Sequence, residues 1–312
     1  MKPYTKAALA LLLLGPAAAE AAESSAAQFL RLGFGARALG MGEAFTAVAD
    51  DASALHYNPA GLAPGAGAEG KSAMFSHAWH IQDMGVSQAA LVSRPWGFGI
   101  TYFSAGDMEG RDDAGAVTGN FTARDLAFSA GRGYALGEFK AGAAVKYVGQ
   151  KIDEYSAHAL AADFGLLYRR EGSRLGFGAA LSNLGTRIKF RDDSFPLPLT
   201  FKAGAALELK DAPLLLAAQA DFPNDAGASL RLGCEYRAAE SFRLRAGYKT
   251  SSSEDRDAIL GRELGGEASG VSSLFGFYAG VGLQMGGFSL DYALAPYGDL
   301  GSAHRVSFAM KF

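Results

Sequence analysis

The chain has 312 residues, 49% of them hydrophobic and 20% charged, with a net charge of -3 at pH 7. This composition excludes a disordered polymer, and the near-neutral balance lacks the basic footprint that a nucleic-acid partner demands. A single cysteine, Cys234, excludes an internal disulfide framework. With no histidine beside it, Cys234 reads as a buried apolar filler rather than a nucleophile.

In chain order, residues 1–22 read as a signal peptide. Lys2 and Lys6 flank or precede the apolar run AALALLLLG, and the alanines from Ala17 to Ala22 supply small residues suited to cleavage. No cysteine follows the leader to anchor a lipid. No later run of about eighteen apolar residues could span a membrane as a helix.

Residues 23–66 do not alternate. They are crowded with glycine and alanine and end in Asn58-Pro59-Ala60-Gly61-Leu62. The spacing of Gly33, Gly35, Gly40 and Gly42 is not that of a dinucleotide or phosphate loop, and no strand precedes it. A short helix is expected near 39–49. Asp50 and Asp51 then either close that helix or pair with charges on a surrounding wall.

From residue 67 onward, apolar residues recur at every second position, as in Phe139, Ala141, Ala143, Val145 and Tyr147. Strands are expected near 71–80, 84–94, 96–105, 120–132, 137–149, 158–169, 173–183, 197–209, 213–223, 228–238, 241–250, 274–285, 287–295 and 303–312. Short turns such as Arg94-Pro95, Glu171-Gly172, Asp211-Ala212 and Gly286-Gly287 follow the even-numbered strands, and long loops follow the third, seventh and eleventh. That sorting, with an even strand count, predicts an all-β, 14-stranded antiparallel transmembrane barrel with both ends in the periplasm. A soluble sandwich has no reason to sort its loops.

The last strand, Val306, Phe308, Met310 and Phe312, ends on an aromatic and resembles the assembly signal of outer-membrane barrels. Trp79, Trp96, Tyr155, Tyr168, Tyr248 and Tyr292 lie near strand ends, where they fit either interfacial girdles or packing. His77 and His80 point to opposite sides of a strand, so neither a shared metal nor a cofactor is expected. No catalytic constellation emerges.

The run QFLRLGFGARALGMGEAFTAVADDASALHYNPAGLA, Gln28 to Ala63, resembles the N-terminal signature of the PorV/PorQ family of outer-membrane proteins, within the wider FadL-like group. The match rests on Gly35-Ala36-Arg37, Gly40-Met41-Gly42, Asp50-Asp51 and Asn58-Pro59-Ala60-Gly61-Leu62. It implies that residues 23–66 form a hatch inside the lumen of a barrel built by 67–312. Charges of such a hatch, Arg37, Glu43, Asp50 and Asp51, would pair with inward wall charges, for which Lys140, Lys146, Lys202, Arg231, Arg243 and Arg245 are the candidates. In FadL-like proteins a hydrophobic ligand binds against the hatch; Phe34, Leu39, Met41, Phe45 and Leu55 either face such a ligand or simply pack the hatch against the wall. Two functions follow from the resemblance. One is passive traffic of a hydrophobic small molecule across the outer membrane, with lipid around the barrel. The other is an accessory barrel of type IX secretion, binding secreted cargo or secretion-system proteins through the loop near 250–273.

Overall fold

The computed structural model describes residues 24–66, 70–79, 84–111, 114–191, 193–250, 274–297 and 302–312. The expected signal peptide and most of the long loop near 250–273 lie outside these residues.

Fourteen antiparallel strands close on themselves as a barrel. In chain order they are β1 (Lys71–Trp79), β2 (Gly85–Ser93), β3 (Trp96–Arg111), β4 (Val117–Leu136), β5 (Phe139–Ile152), β6 (Tyr155–Arg169) and β7 (Leu175–Gly185). A small separate hairpin, β8 (Ile188–Phe190) and β9 (Asp193–Phe195), intervenes before β10 (Thr200–Glu208) and β11 (Leu214–Pro223). The ring is completed by β12 (Ser229–Arg237), β13 (Phe242–Lys249), β14 (Phe277–Met285), β15 (Phe288–Pro296) and β16 (Ser302–Lys311). The seam joins β1 to β16 from Ser72 opposite Lys311 to Trp79 opposite His304, and the Lys71 and Phe312 backbones exchange hydrogen bonds of 2.9 Å below it. Closure leaves no unpaired edge.

The alternation decides which side chains face out. On β5, Ala144, Lys146, Val148 and Gln150 are buried while Val145 and Tyr147 are exposed, Val145 by 64%. Phe75, Phe98, Phe128, Leu160, Leu232 and Phe308 are exposed in the same way on other strands. Water tolerates no apolar surface of this extent on a monomer; hydrocarbon does. Trp79 and Trp96 face outward at strand ends, whereas Tyr292, expected near an end, faces outward from the middle of β15.

Three expectations about the wall and its loops are corrected. The long loop after the third strand is mostly strand: β3 and β4 continue as a paired, polar hairpin past a register shift between Ser104 and Asp107. Beyond the apolar band, ladder hydrogen bonds alone hold the pairing, so outward hydrophobic alternation gives no signal there. The segment after β7 contains the β8–β9 hairpin, too short to count as a strand by pattern. Cys234 is not core: it faces outward, partly exposed, between Leu216 and Ala246 of the neighbouring strands.

Call the end carrying the turns after β2, β4, β6, β10, β12 and β14 the short-turn rim, and the other end the loop rim. Residues 24–66 run between them within the ring, touching inward faces of β3 to β7 and β11 to β16. Their elements are brief: a 3-10 turn Gln28–Arg31, one helical turn Ala36–Gly40, another Ala54–Tyr57, and a 3-10 turn Pro59–Leu62. The helix expected near 39–49 is not formed. Gly42 and Glu43 both take positive φ, 62° and 61°, which reverses the chain and ends the helix at Gly40.

Candidate functional site

The lumen is organised by two rows of wall glycines. Gly133, Gly142 and Gly165 stand directly opposite one another on β4, β5 and β6. Onto this trough the turn Pro59–Leu62 is laid: a Cβ at Gly142 would fall on the Pro59 carbonyl, one at Gly133 on the Ala63 amide, and one at Gly165 on Asn58 Oδ1. Asn58, fully buried, donates from Nδ2 to the Thr46 carbonyl at 2.8 Å and to the Leu166 carbonyl of β6 at 3.1 Å. Its Oδ1 accepts from the Ala60 amide at 3.1 Å, capping the turn that Pro59 starts. Gly61 packs against Ala49 and Ala54, where no side chain fits.

The second row is Gly233 and Gly247, opposite each other on β12 and β13. Met41 and Gly42 lie on it, and Gly40 meets Gly280 of β14. Gly35 takes φ 80° just before the Ala36–Gly40 turn, whose first amide donates to Ser307 Oγ at 3.0 Å. The motifs Gly40-Met41-Gly42 and Asn58-Pro59-Ala60-Gly61-Leu62 thus lay the segment's backbone directly on the wall's backbone, as Thr46-Ala47 also does at Gly178 of β7.

Charges tie the segment down near the short-turn rim. Arg37 Nε and Nη2 donate to both carboxylate oxygens of Glu235 at 2.9 and 3.0 Å, while Nη1 reaches Asp50 at 2.5 Å and Asp51 at 3.2 Å. Glu235 is shared with Arg245, which also binds Asp291, each at 2.6 Å. Burial opposes the charge on Arg37, but Asp50, Glu235 and Asp51 outweigh it and hold its pKa well above the usual value. Burial raises Asp50, with Asp51 beside it adding to the rise and Arg37 opposing it. Asp51 Oδ1 also accepts from the Ser53 amide at 2.9 Å and hydroxyl at 2.6 Å, starting the Ala54–Tyr57 turn.

Higher in the lumen, Glu43 pairs with Arg231, which also holds Asp221 at 2.5 Å. Burial pushes Glu43 upward, yet Arg231, Arg305 and Lys249 lower its pKa below the ordinary value. Lys202 lies 6.0 Å from the ring centre of Tyr57. Burial first, then Lys202, Lys146 and other cations, drives the His56 pKa well below its usual value.

The expected pairing of segment charges with wall cations is therefore corrected in most of its members. Of the six candidate cations, Arg231 alone pairs with a segment carboxylate, Glu43. Lys146 is held by Asp163 at 2.6 Å and Asn183 at 2.8 Å, both from the wall. Arg245 reaches the segment through Glu235, and Arg243 donates to the Ala239 and Glu240 carbonyls and to Gln284 at the short-turn rim. Lys140 lines a cleft of about 260 Å³ at that rim, with Asp50, Gly65, Arg169 and Glu208. For Lys146 and Arg245 the reason is that carboxylates on the strands themselves, Asp163 for the first and Glu235 and Asp291 for the second, take up the cation.

Among the proposed ligand-facing residues, Phe34, Met41, Phe45 and Leu55 join one buried cluster and Leu39 packs on Ala293, Ala295 and Ala303; each is at most 5% exposed. Phe45 and Tyr57 rings lie 5.3 Å apart, and the Phe34 amide donates to Tyr57 Oη at 3.0 Å.

A second apolar cluster, toward the loop rim, was not anticipated. Phe29 and Leu30 pack there on Val148, Ala159, Ile188 and Leu197, with Leu32, Phe103, Phe190 and Phe195 partly buried around them. The chain is pinned above it: the Ala26 amide donates to the Pro196 carbonyl at 3.0 Å, the Ala27 amide to Gln150 Oε1 at 3.1 Å, and Gln28 Nε2 to Asp225 at 2.7 Å, while Arg31 pairs with the same Asp225. The inward alanines 157, 159 and 161 of β6 were the available signal, read only as strand alternation.

No protein-family model and no curated protein matches the sequence, so the PorV/PorQ resemblance stays at the level of its motifs. Solved structures do match. The toluene transporter TbuX of Ralstonia pickettii superposes with a TM-score of 0.60 at 14% identity, over 90% of this chain and 98% of that one. The toluene transporter TodX of Pseudomonas putida gives 0.56 at 14%, over 93% and 98%. A FadL homologue of Pseudomonas aeruginosa gives 0.55 at 12%, over 89% and 98%. The chain shares the FadL-like barrel fold with these transport proteins.

Proposed function

We propose that this protein is an outer-membrane barrel that binds hydrophobic small molecules and lets them pass down their gradient, without catalysis. The short-turn rim with both barrel ends then faces the periplasm, the loop rim faces outward, residues 23–66 act as a hatch, and residues 1–22 are the export signal. One observation carries the reading: the cluster around Phe29 and Leu30 places apolar side chains in the lumen just beneath the loop rim, where incoming ligand meets the hatch. The fold shared with two toluene transporters supports it. A polar lumen filled only by a structural plug has no use for phenylalanines there. In this reading the ligand displaces contacts of Phe29 and Leu30 first, and the Arg37 network keeps the lower part of the hatch seated. The secretion-accessory alternative has no observation in its favour.

The test is equilibrium binding of toluene to purified protein in mild detergent, against Phe29→Ser and Phe103→Ser. Saturable binding that weakens by about tenfold in each variant supports the site, each lost aromatic contact being worth roughly 1 to 2 kcal/mol. Absence of saturable binding, or variants equal to the parent, refutes it.

A further inference from the structure

Arg124 of β4 and Lys151 of β5 are direct cross-strand partners, and both are exposed. They stand on the outward face, because Asp125 and Gln150 beside them are buried in the lumen. Like charges placed opposite one another in a ladder repel. Among the described residues neither cation forms an ion pair, with Asp107, Glu109, Asp153 or Glu154 at that end of the strands or with any other acid.

Immediately below lie amphipathic rings. Tyr102 of β3 is 39% exposed, and Tyr147 Oη sits 2.8 Å from His158 Nδ1 with the two rings stacked at 5.6 Å. Phe128 and Leu160 flank Tyr147 on the neighbouring strands and Val145 lies below it, all outward and exposed. Eight residues down β4 from Arg124, Arg132 lies over Trp96 at 4.8 Å and Tyr134 at 4.9 Å. Eight strand residues cover about 26 Å, which after strand tilt leaves roughly 20 Å of height. Arg124 and Arg132 therefore bracket the apolar band, and the Arg124–Lys151 pair sits at its loop-rim boundary.

We propose that Arg124 and Lys151, with Tyr102, Tyr147 and His158, form a site on the outer wall for the phosphate head group of a glycolipid of the outer leaflet. The guanidinium fork matches phosphate oxygens, Lys151 adds a second charge-assisted donor, and the rings occupy the head-group level, where tyrosine is favoured. Acyl chains then lie along Phe128, Val145 and Leu160. The inference rests on the outer-membrane reading above.

Native mass spectrometry of the full-length chain in mild detergent tests it, after heat-modifiable mobility and bilayer insertion have been scored. The probes are a bisphosphorylated acyl-diglucosamine lipid, its dephosphorylated form, and inorganic phosphate alone. The parent is expected to retain the phosphorylated lipid about tenfold more than the dephosphorylated one, since hydrogen bonds to charged groups contribute on the order of 1.5 kcal/mol each. Arg124→Ala with Lys151→Ala should erase that preference, while Arg132→Ala keeps it. A folded, inserted barrel without the preference, or a double variant that keeps it, overturns the site. Displacement of the lipid by inorganic phosphate at equal concentration overturns the lipid assignment in favour of a free-anion site. Failure of the parent to insert refutes the outer-membrane reading instead.

Discussion

Replacing Gly142 by alanine probes the contact on which the seated segment depends. The new Cβ meets the carbonyl carbon and oxygen of Pro59 and the amide of Ala60, all backbone atoms, so no flexible side chain can swing away. On the wall side, Gly142 is held by the ladder between Gly133 and Gly165. Two responses compete. Lifting the turn away forfeits the burial of Leu62, about 2 kcal/mol, and the two bonds from Asn58 to Thr46 and Leu166, about 1 kcal/mol each. Shifting the turn by about 1 Å, enough to turn the 2.2 Å approach to the Pro59 carbonyl into an ordinary contact, costs about 1 to 3 kcal/mol of overpacking. The smaller cost wins, so the segment stays seated but weakened. Hydrogen exchange then accelerates about 5- to 150-fold at the amides of Ala60, Gly61 and Ala63, which bond within the turn. The assay is exchange read by mass spectrometry on folded protein, beside Gly85→Ala, where the nearest atom to a new Cβ is 3.8 Å away. Unchanged exchange in Gly142→Ala refutes the close approach.

Arg37→Met should destabilise the folded protein by about 3 to 5 kcal/mol, because it strands Asp50, Asp51 and Glu235 around a lost cation; a denaturant midpoint equal to the parent's contradicts this. Arg37→Lys should recover only part of the loss, since an ammonium cannot grip Glu235 through two nitrogens. His56 has a folded pKa well below its unfolded value near 6.5, so the folded chain holds fewer protons and its stability falls as pH drops below about 6.5, by up to about 1.4 kcal/mol per unit. Unfolding midpoints measured from pH 7 to pH 5 should therefore slope less steeply in His56→Gln, and parallel curves would exclude the contribution. Deleting Phe312 removes the two backbone bonds to Lys71 that finish the seam, and should lower the yield of heat-modifiable barrel; an unchanged yield counts against a role in closure.

The strand pattern was legible because the outward face of the wall is apolar, so a period of two survives in the sequence wherever the strands carry exposed hydrophobic side chains. It failed at 105–119, where β3 and β4 leave the apolar band, and at 188–195, where the hairpin is too short to alternate. Asn58, Pro59 and Gly61 were legible as a motif, but its reason was not. That reason lies in Gly133, Gly142 and Gly165, which are far apart in sequence and become one trough only when register sets them opposite one another. The charge partners were misread for a similar cause: Asp163, Asp221, Glu235 and Asp291 compete with the segment for the same cations, and sequence does not rank distances.

What the sequence determined alone is the barrel: strand number, direction of facing and the sorting of turns follow from local alternation and turn chemistry, which each strand carries within itself. What only the tertiary structure decided is the content of the lumen. There, whether Arg37 meets Glu235, or Phe29 meets Val148, depends on register across many strands and on a non-repeating segment between them. Side-chain identity without distance cannot settle such contacts, since a shift of one residue turns every inward group outward.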